Sequence, residues 1–155
     1  MKRIVIFSDT HGNIHPCLKV LPGLGEISLV IHLGDTVTDC EELQGFYPEL
    51  PFVSVKGNND WFSPIPTVTE TEVDGVKLLC THGHMMSRQE MLQSAKKENC
   101  SFVLFGHTHR SLLIETDGVT FLNPGSISRP RDGNPSYGVI EIENGIAKGA
   151  IISYF

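Results

Sequence analysis

No run of apolar residues in this chain approaches the roughly twenty that cross a bilayer as a helix, so no membrane span is expected. The opening Met1-Lys2-Arg3 is followed by only Ile4 to Phe7 before polar Ser8. That falls short of the roughly seven to fifteen apolar residues of a secretory signal. Cysteine never occurs as a CxxC pair: Cys17, Cys40, Cys80 and Cys100 are scattered in or beside apolar segments, the pattern of buried reduced thiols. Together these absences make the cytoplasm the expected location. Lysine and arginine form no run and the formal net charge is −6. That argues against a general surface for extended nucleic acid, and none is expected as a partner, while a local cationic pocket stays open. Low-complexity stretches, solenoid-period repeats and linker composition are missing too, so 155 residues read as one domain, 1–155, with a single core.

What the chain does have is a repeated device. Five short apolar runs each end in residues that ligate metals: IVIF into SDTHG, LVIHL into GD, FVSVK into GNND, KLLC into THGH, and FVLF into GHTH. A short apolar run bounded by glycine and polar residues reads as a buried strand. Ligands of open α/β sheets gather at the carboxyl ends of the strands, where the loops converge on one crevice. Asp9, His11, Asp35, Asn58, His82, His107 and His109 are therefore expected at one edge. Seven oxygen and nitrogen donors exceed what one tetrahedral zinc takes, and suit a pair of ions sharing a carboxylate. Mixed imidazole, carboxylate and amide donors favour transition metals over magnesium or calcium, with manganese placed before nickel, iron, zinc and cobalt.

The first half reads as strands alternating with short helices. Asn13 is a candidate cap for a helix with Pro16 in its first turn, closing at Gly23 and Gly25. Thr38 with Glu41, and Ser87 with Glu90, have the spacing of capping boxes. The second half alternates apolar and polar residues around Asp74-Gly75, Asp117-Gly118 and Asn144-Gly145, each the signature of a tight hairpin turn. Parallel strands and several hairpins do not fit comfortably in one parallel sheet. Two mixed sheets packed face to face with helices outside are expected, an α/β (α+β) arrangement.

The ordered series DTH, GD, GNND, THGH and GHTH resembles the calcineurin-like metallophosphoesterase superfamily. The NPGS at Asn123 to Ser126, with Arg129 and Arg131 close behind, is similar to its small bacterial and archaeal phosphodiesterase branch, the YfcE-like group, to which the retromer scaffold subunit is related. The resemblance implies a four-layer αββα sandwich. It further implies one metal on Asp9, His11, Asp35 and His109, and the other on Asp35, Asn58, His82 and His107, with Asp35 bridging. The implied activity is hydrolysis of a small phosphodiester by a metal-bridging hydroxide, with Asp35 and Asn58 as catalytic residues. A phosphomonoesterase, a nuclease or a non-catalytic scaffold on the same fold are the alternatives, and a homo-oligomer is compatible with any of them.

One position departs from the superfamily pattern, which has a histidine after the ligand asparagine; here that place is Asn59. An amide cannot protonate a departing alkoxide at neutral pH, and such an acid is worth about 10²- to 10⁴-fold. His84 is the nearest candidate substitute. Asn59 and Arg129 are candidate substrate contacts, and Arg129 and Arg131 otherwise pair with surface carboxylates. His15 and His32 are assigned no metal; Asp39 and Asp60 read as capping or loop residues, with Asp60 able to orient a neighbour. NPGS reads either as a turn or as a phosphate contact, and Trp61 and Phe62 either wall the substrate pocket or pack beneath their loop.

Overall fold

The computed structural model describes residues 1–153. Ten strands form two five-stranded sheets. The first contains β1 (Lys2–Phe7), β2 (Leu29–His32), β3 (Phe52–Ser54), β9 (Ser136–Glu143) and β10 (Ile146–Ser153), ordered β10-β9-β1-β2-β3. The second contains β4 (Val68–Val73), β5 (Val76–Thr81), β6 (Phe102–Leu104), β7 (Ser111–Thr116) and β8 (Val119–Pro124), ordered β4-β5-β6-β8-β7. Within them β1, β2 and β3 run parallel, as do β5, β6 and β8, so two sets of parallel carboxyl ends are available. Three of the outer strands, β10, β4 and β7, are supplied by antiparallel hairpins, while the fourth edge, β3, lies parallel to β2.

Alternation along the strands builds three apolar layers. Ile4, Ile6 and Ile31 of the first sheet meet Leu78, Phe102, Leu104 and Leu122 of the second in the central layer. The opposite faces of the same strands, Val5, Phe7 and Val30, are covered by Cys17 and Val20 of α1 (His15–Val20), by Leu21 in the turn that follows it, and by Leu43 of α2 (Val37–Phe46). Leu79, Val103 and Phe121 are covered by Met91 and Ala95 of α3 (Arg88–Lys97). The result is the expected αββα sandwich.

All three dipeptides form the tight turns expected of them, with left-handed backbone at Asp74, Asp117 and Asn144 and at the glycine after each. The Ser87–Glu90 capping box is also present, each side chain bonding the other residue's backbone N–H. The other two helix starts differ from the sequence expectation. Thr38 and Glu41 form no box, because α2 begins two residues earlier, with Thr36 at the cap position and no side-chain cap. Its first N–H, that of Val37, is instead satisfied from another loop by Asp60. Ile14 takes the cap position of α1, and Asn13 accepts only from the His15 N–H.

Candidate metal centre

β1, β2 and β3 of one sheet and β5 and β6 of the other end along the same seam. The turns beyond them carry all seven donors inferred from the sequence. Their backbone is unusual: Asp9, His11, Asp35, His107 and His109 have φ between 47° and 73°. Asp and His are among the residues that tolerate this left-handed region best, yet each such residue still carries a conformational cost. Two glycines let the turns approach one another. A Cβ on Gly57 would overlap Asp35 Oδ1, and one on Gly106 would overlap Ser8 Oγ.

The donor atoms fall into two groups. His11 Nε2 and His109 Nε2 lie 3.2 Å apart, with Asp9 Oδ1 at 3.7 and 3.3 Å from them respectively. His82 Nε2 lies 3.0 Å from Asn58 Oδ1 and 3.3 Å from His107 Nδ1. Asp35 Oδ2 is 3.4 Å from His82 Nε2 and 3.9 Å from His11 Nε2, and so stands between the groups. Asp9 Oδ1 also reaches toward the second group, at 3.8 Å from His82 Nε2.

The remaining ring atoms fix which nitrogen faces inward. His82 Nδ1 lies 2.7 Å from the Leu33 carbonyl and His109 Nδ1 lies 2.7 Å from the Arg129 carbonyl. With the proton on each Nδ1, both Nε2 lone pairs point into the cluster, the arrangement that metal-ligating histidines adopt. A second observation also fits a cation. Asp9 is fully buried, and its Oδ2 accepts from Ser8 Oγ and the His107 N–H, while Oδ1 has no hydrogen-bond partner. A buried carboxylate oxygen without a partner is costly unless a cation meets it. Burial opposes ionisation of Asp35, but hydrogen bonding to His82 and to the Asn59 N–H outweighs it, and the pKa falls below the ordinary carboxylate value. Burial lowers the pKa values of His11 and His107, keeping them in the neutral form that binds metal. At His82 burial is overcome by the hydrogen bond to Asp35 and the charge of Asp9, and the pKa rises.

Several residues outside the donor set hold it in shape. Asp60 accepts from the backbone N–H groups of Asp35, Val37 and Gly57, at 2.9, 2.9 and 2.7 Å, tying two donor loops and the start of α2 to one carboxylate. Asp39 accepts from Thr10 Oγ1 and the Gly12 N–H, fixing the turn around His11. Asp39 reads from the sequence as a capping or loop residue, because nothing around it along the chain signals partners 27 and 29 residues away. NPGS acts as scaffold: Asn123 donates to the Gly106 carbonyl and to Thr108 Oγ1, and Ser126 Oγ donates to the Asp9 carbonyl. Ser128, outside the motif, donates to the carbonyls of Asp9 and Thr10.

His32 is buried between Thr10 Oγ1, at 2.9 Å, and the Gly34 N–H, at 3.2 Å. Burial pushes its pKa down to about 4, against the opposing charge of Asp39. The unfolded chain takes up that proton near pH 6.5 and the folded one refuses it until about pH 4. Stability from neutral His32 is therefore complete above pH 6.5 and lost as pH falls toward 4. Urea denaturation at pH 7, 5.5 and 4.5 should show the native protein losing more stability than His32→Gln, by up to about 1.4 kcal/mol per pH unit. Equal losses in both proteins would mean that His32 is not the group responsible.

The donor cluster opens into a cleft of about 290 Å³ lined by His11, Asp35, Asn58, Asn59, His107, His109, Arg129 and Arg131. Among the described residues neither arginine pairs with a carboxylate, contrary to the surface pairing expected from sequence. Asn59 is bound to Asp35 twice, its N–H on Oδ1 at 3.0 Å and its amide on Oδ2 at 2.8 Å. His84 stands beside the second group, its ring 5.4 Å from that of His82 and 6.3 Å from that of His107. Its Nδ1 is buried without a partner, and burial with the neighbouring His82 lowers its pKa.

Comparison with known proteins agrees with this geometry. Phosphodiesterase YfcE of Escherichia coli K12 is 35% identical over 91% of this chain and 88% of its own length. A predicted phosphoesterase of Streptococcus pneumoniae superposes with a TM-score of 0.81 at 28% identity, covering 98% of this chain and 89% of the other. Vacuolar protein sorting-associated protein 29 of Schizosaccharomyces pombe is 28% identical over 83% of this chain and 68% of its own length. Residues 1–145 match the family model described as the calcineurin-like phosphoesterase superfamily domain. With that match spread over nearly the whole chain and all five donor loops, the protein belongs to the calcineurin-like phosphoesterase superfamily.

Proposed function

We propose that the protein is a dinuclear-metal phosphodiesterase acting on a small diester, with manganese the preferred ion. The observation that carries this reading is Asp35 Oδ2 standing between two groups of donors, beside a buried Asp9 Oδ1 that has no hydrogen-bond partner. One ion would be held by Asp9, His11, Asp35 and His109, and the other by Asp35, Asn58, His82 and His107. When bound, two such ions supply Lewis acidity toward the phosphoryl oxygens and a nucleophile at neutral pH. The chain's own contribution is geometric and electrostatic. Asp35 is oriented by Asn59, and Asp60 holds the backbone of Asp35 and Gly57 in register. Arg129 and Arg131 offer cationic contacts to a bound anion at the cleft wall. No side-chain nucleophile is needed. Mn-loaded protein assayed against a panel of diesters and monoesters tests the reading; turnover of monoesters alone would replace diesterase with phosphomonoesterase.

Proton delivery is the weak point of such a site. The Asn59 side chain is committed to Asp35 and has no acidic proton, which leaves His84 as the imidazole nearest both His82 and His107. Because burial keeps His84 largely neutral at pH 7, its help to a leaving alkoxide is limited. Rates should therefore fall steeply as leaving-group pKa rises, with activated aryl diesters far better substrates than alkyl diesters. Asn59→His should flatten that dependence. A flat profile in the native protein would point to another acid, and His84→Ala would then identify or exclude His84.

The likeness to vacuolar protein sorting-associated protein 29 favours a second reading, a protein-interaction scaffold. It calls for a protein that binds metal without turning over any ester in the panel.

A further inference from the structure

The loop after Asn58-Asn59 carries two large aromatic side chains in solvent: Trp61 is 81% exposed and Phe62 fully so. They do not pack beneath the loop, and the loop itself is well fixed. Lys56 N–H bonds the Pro66 carbonyl and closes its base; Asp60 N–H bonds the Gly57 carbonyl, and Ser63 N–H bonds that of Asp60. The Asp60 carboxylate then anchors it to three backbone N–H groups. The two rings are therefore presented on a rigid backbone.

Between this loop and the start of α2 lies a cleft of about 370 Å³, bounded by Thr36, Val37, Glu41, Asn59, Trp61 and Phe62. Asn59 also lines the donor cleft and bonds Asp35, so the two clefts adjoin at one side chain. Their chemistry is opposite. The donor cleft has Arg129 and Arg131 on its wall and attracts anions, whereas the aromatic cleft has Glu41 at its edge and disfavours them.

We propose that Trp61 and Phe62 form a subsite for a flat, uncharged heteroaromatic group, a nucleobase or its equivalent, carried on an alcohol that is esterified to the phosphate held at the donor cluster. The proposal rests on the phosphodiesterase reading and names its substrate class. Stacking on an aromatic ring recognises any base through its π face, and a carboxylate such as Glu41 suits exocyclic amino groups. The anionic remainder of the substrate would run toward Arg129 and Arg131.

Trp61 is the sole tryptophan, so its fluorescence reports on the subsite directly. Adenosine 5′-monophosphate added to Mn-loaded protein should quench it saturably, while inorganic phosphate and glycerol phosphate should not. Phe62→Ala should weaken that binding about tenfold. Trp61→Ala should lower kcat/KM for an adenosine-containing diester about tenfold, chiefly through KM, and leave a dialkyl diester unchanged. Both side chains are exposed, so an unaltered melting temperature is expected and checks the fold. Equal quenching by all three phosphates, or equal loss on both diesters, would overturn the subsite even if the protein is a phosphodiesterase. Selective quenching without turnover of any ester would uphold the subsite and sink the phosphodiesterase reading. Aromatic variants that change only self-association, with no selective quenching, would make this surface a contact between copies of the chain and overturn the proposal.

Discussion

Asp35→Ala should lose at least about a thousandfold in phosphoester turnover and retain less than one metal ion per chain. The reason is position: Asp35 Oδ2 is the oxygen that approaches both the His11 and the His82 side of the cluster, so its removal weakens both proposed ion sites at once. His11→Ala removes a donor from one group only and should keep the other ion. Asp9 provides the sharper control, since its Oδ1 also approaches His82. Metal analysis by mass spectrometry on all three variants separates the cases. Two ions per chain in Asp35→Ala would refute the shared-carboxylate assignment, and an Asp9→Ala protein that alone lost both ions would transfer the role to Asp9.

Removing metal should cost the fold on the order of 3 to 4 kcal/mol relative to saturation, because ions that bind only the folded chain stabilise it by mass action. For a chain of this length that corresponds to a fall of about 10 °C in melting temperature on chelation. The expectation follows from the polar groups gathered at the seam: two buried carboxylates and four imidazoles, with Asp9 Oδ1 left unpartnered. A melting curve unchanged after verified metal removal would mean that the donor loops are held by their own hydrogen bonds alone.

Those hydrogen bonds mark the boundary of what the sequence discloses. That these seven residues gather at one seam was legible because each lies just beyond a short apolar run, and strand ends place such residues together without any knowledge of partners. The hairpins were legible because Asp-Gly and Asn-Gly encode a local backbone shape. Ser87–Glu90 worked for the same reason. Thr38–Glu41 has identical spacing and failed, since the first N–H of α2 is taken by Asp60 from another loop. Asp39, Ser126 and Ser128 escaped assignment as supports for a related reason, whereas Asp60 was read as able to orient a neighbour. The partners of Asp39, Ser126 and Ser128 are distant in sequence, up to 119 residues for Ser128, and no local pattern carries that information. Trp61 and Phe62 were visible as aromatics, but which way they face depends on how the loop is tied.

The left-handed backbone at Asp9, His11, Asp35, His107 and His109 gives this protein an evolutionary vulnerability. Glycine takes that conformation without the side-chain penalty, which is about 1 kcal/mol per residue. In a metal-poor setting, where ions would return little stabilisation, glycine at His11 or His107, whose rings bond only within the donor cluster, would relieve backbone strain while erasing donors. A lineage selected only for persistence of the fold would therefore drift toward an inert sandwich, and a thermostability screen run in chelator would be drawn the same way.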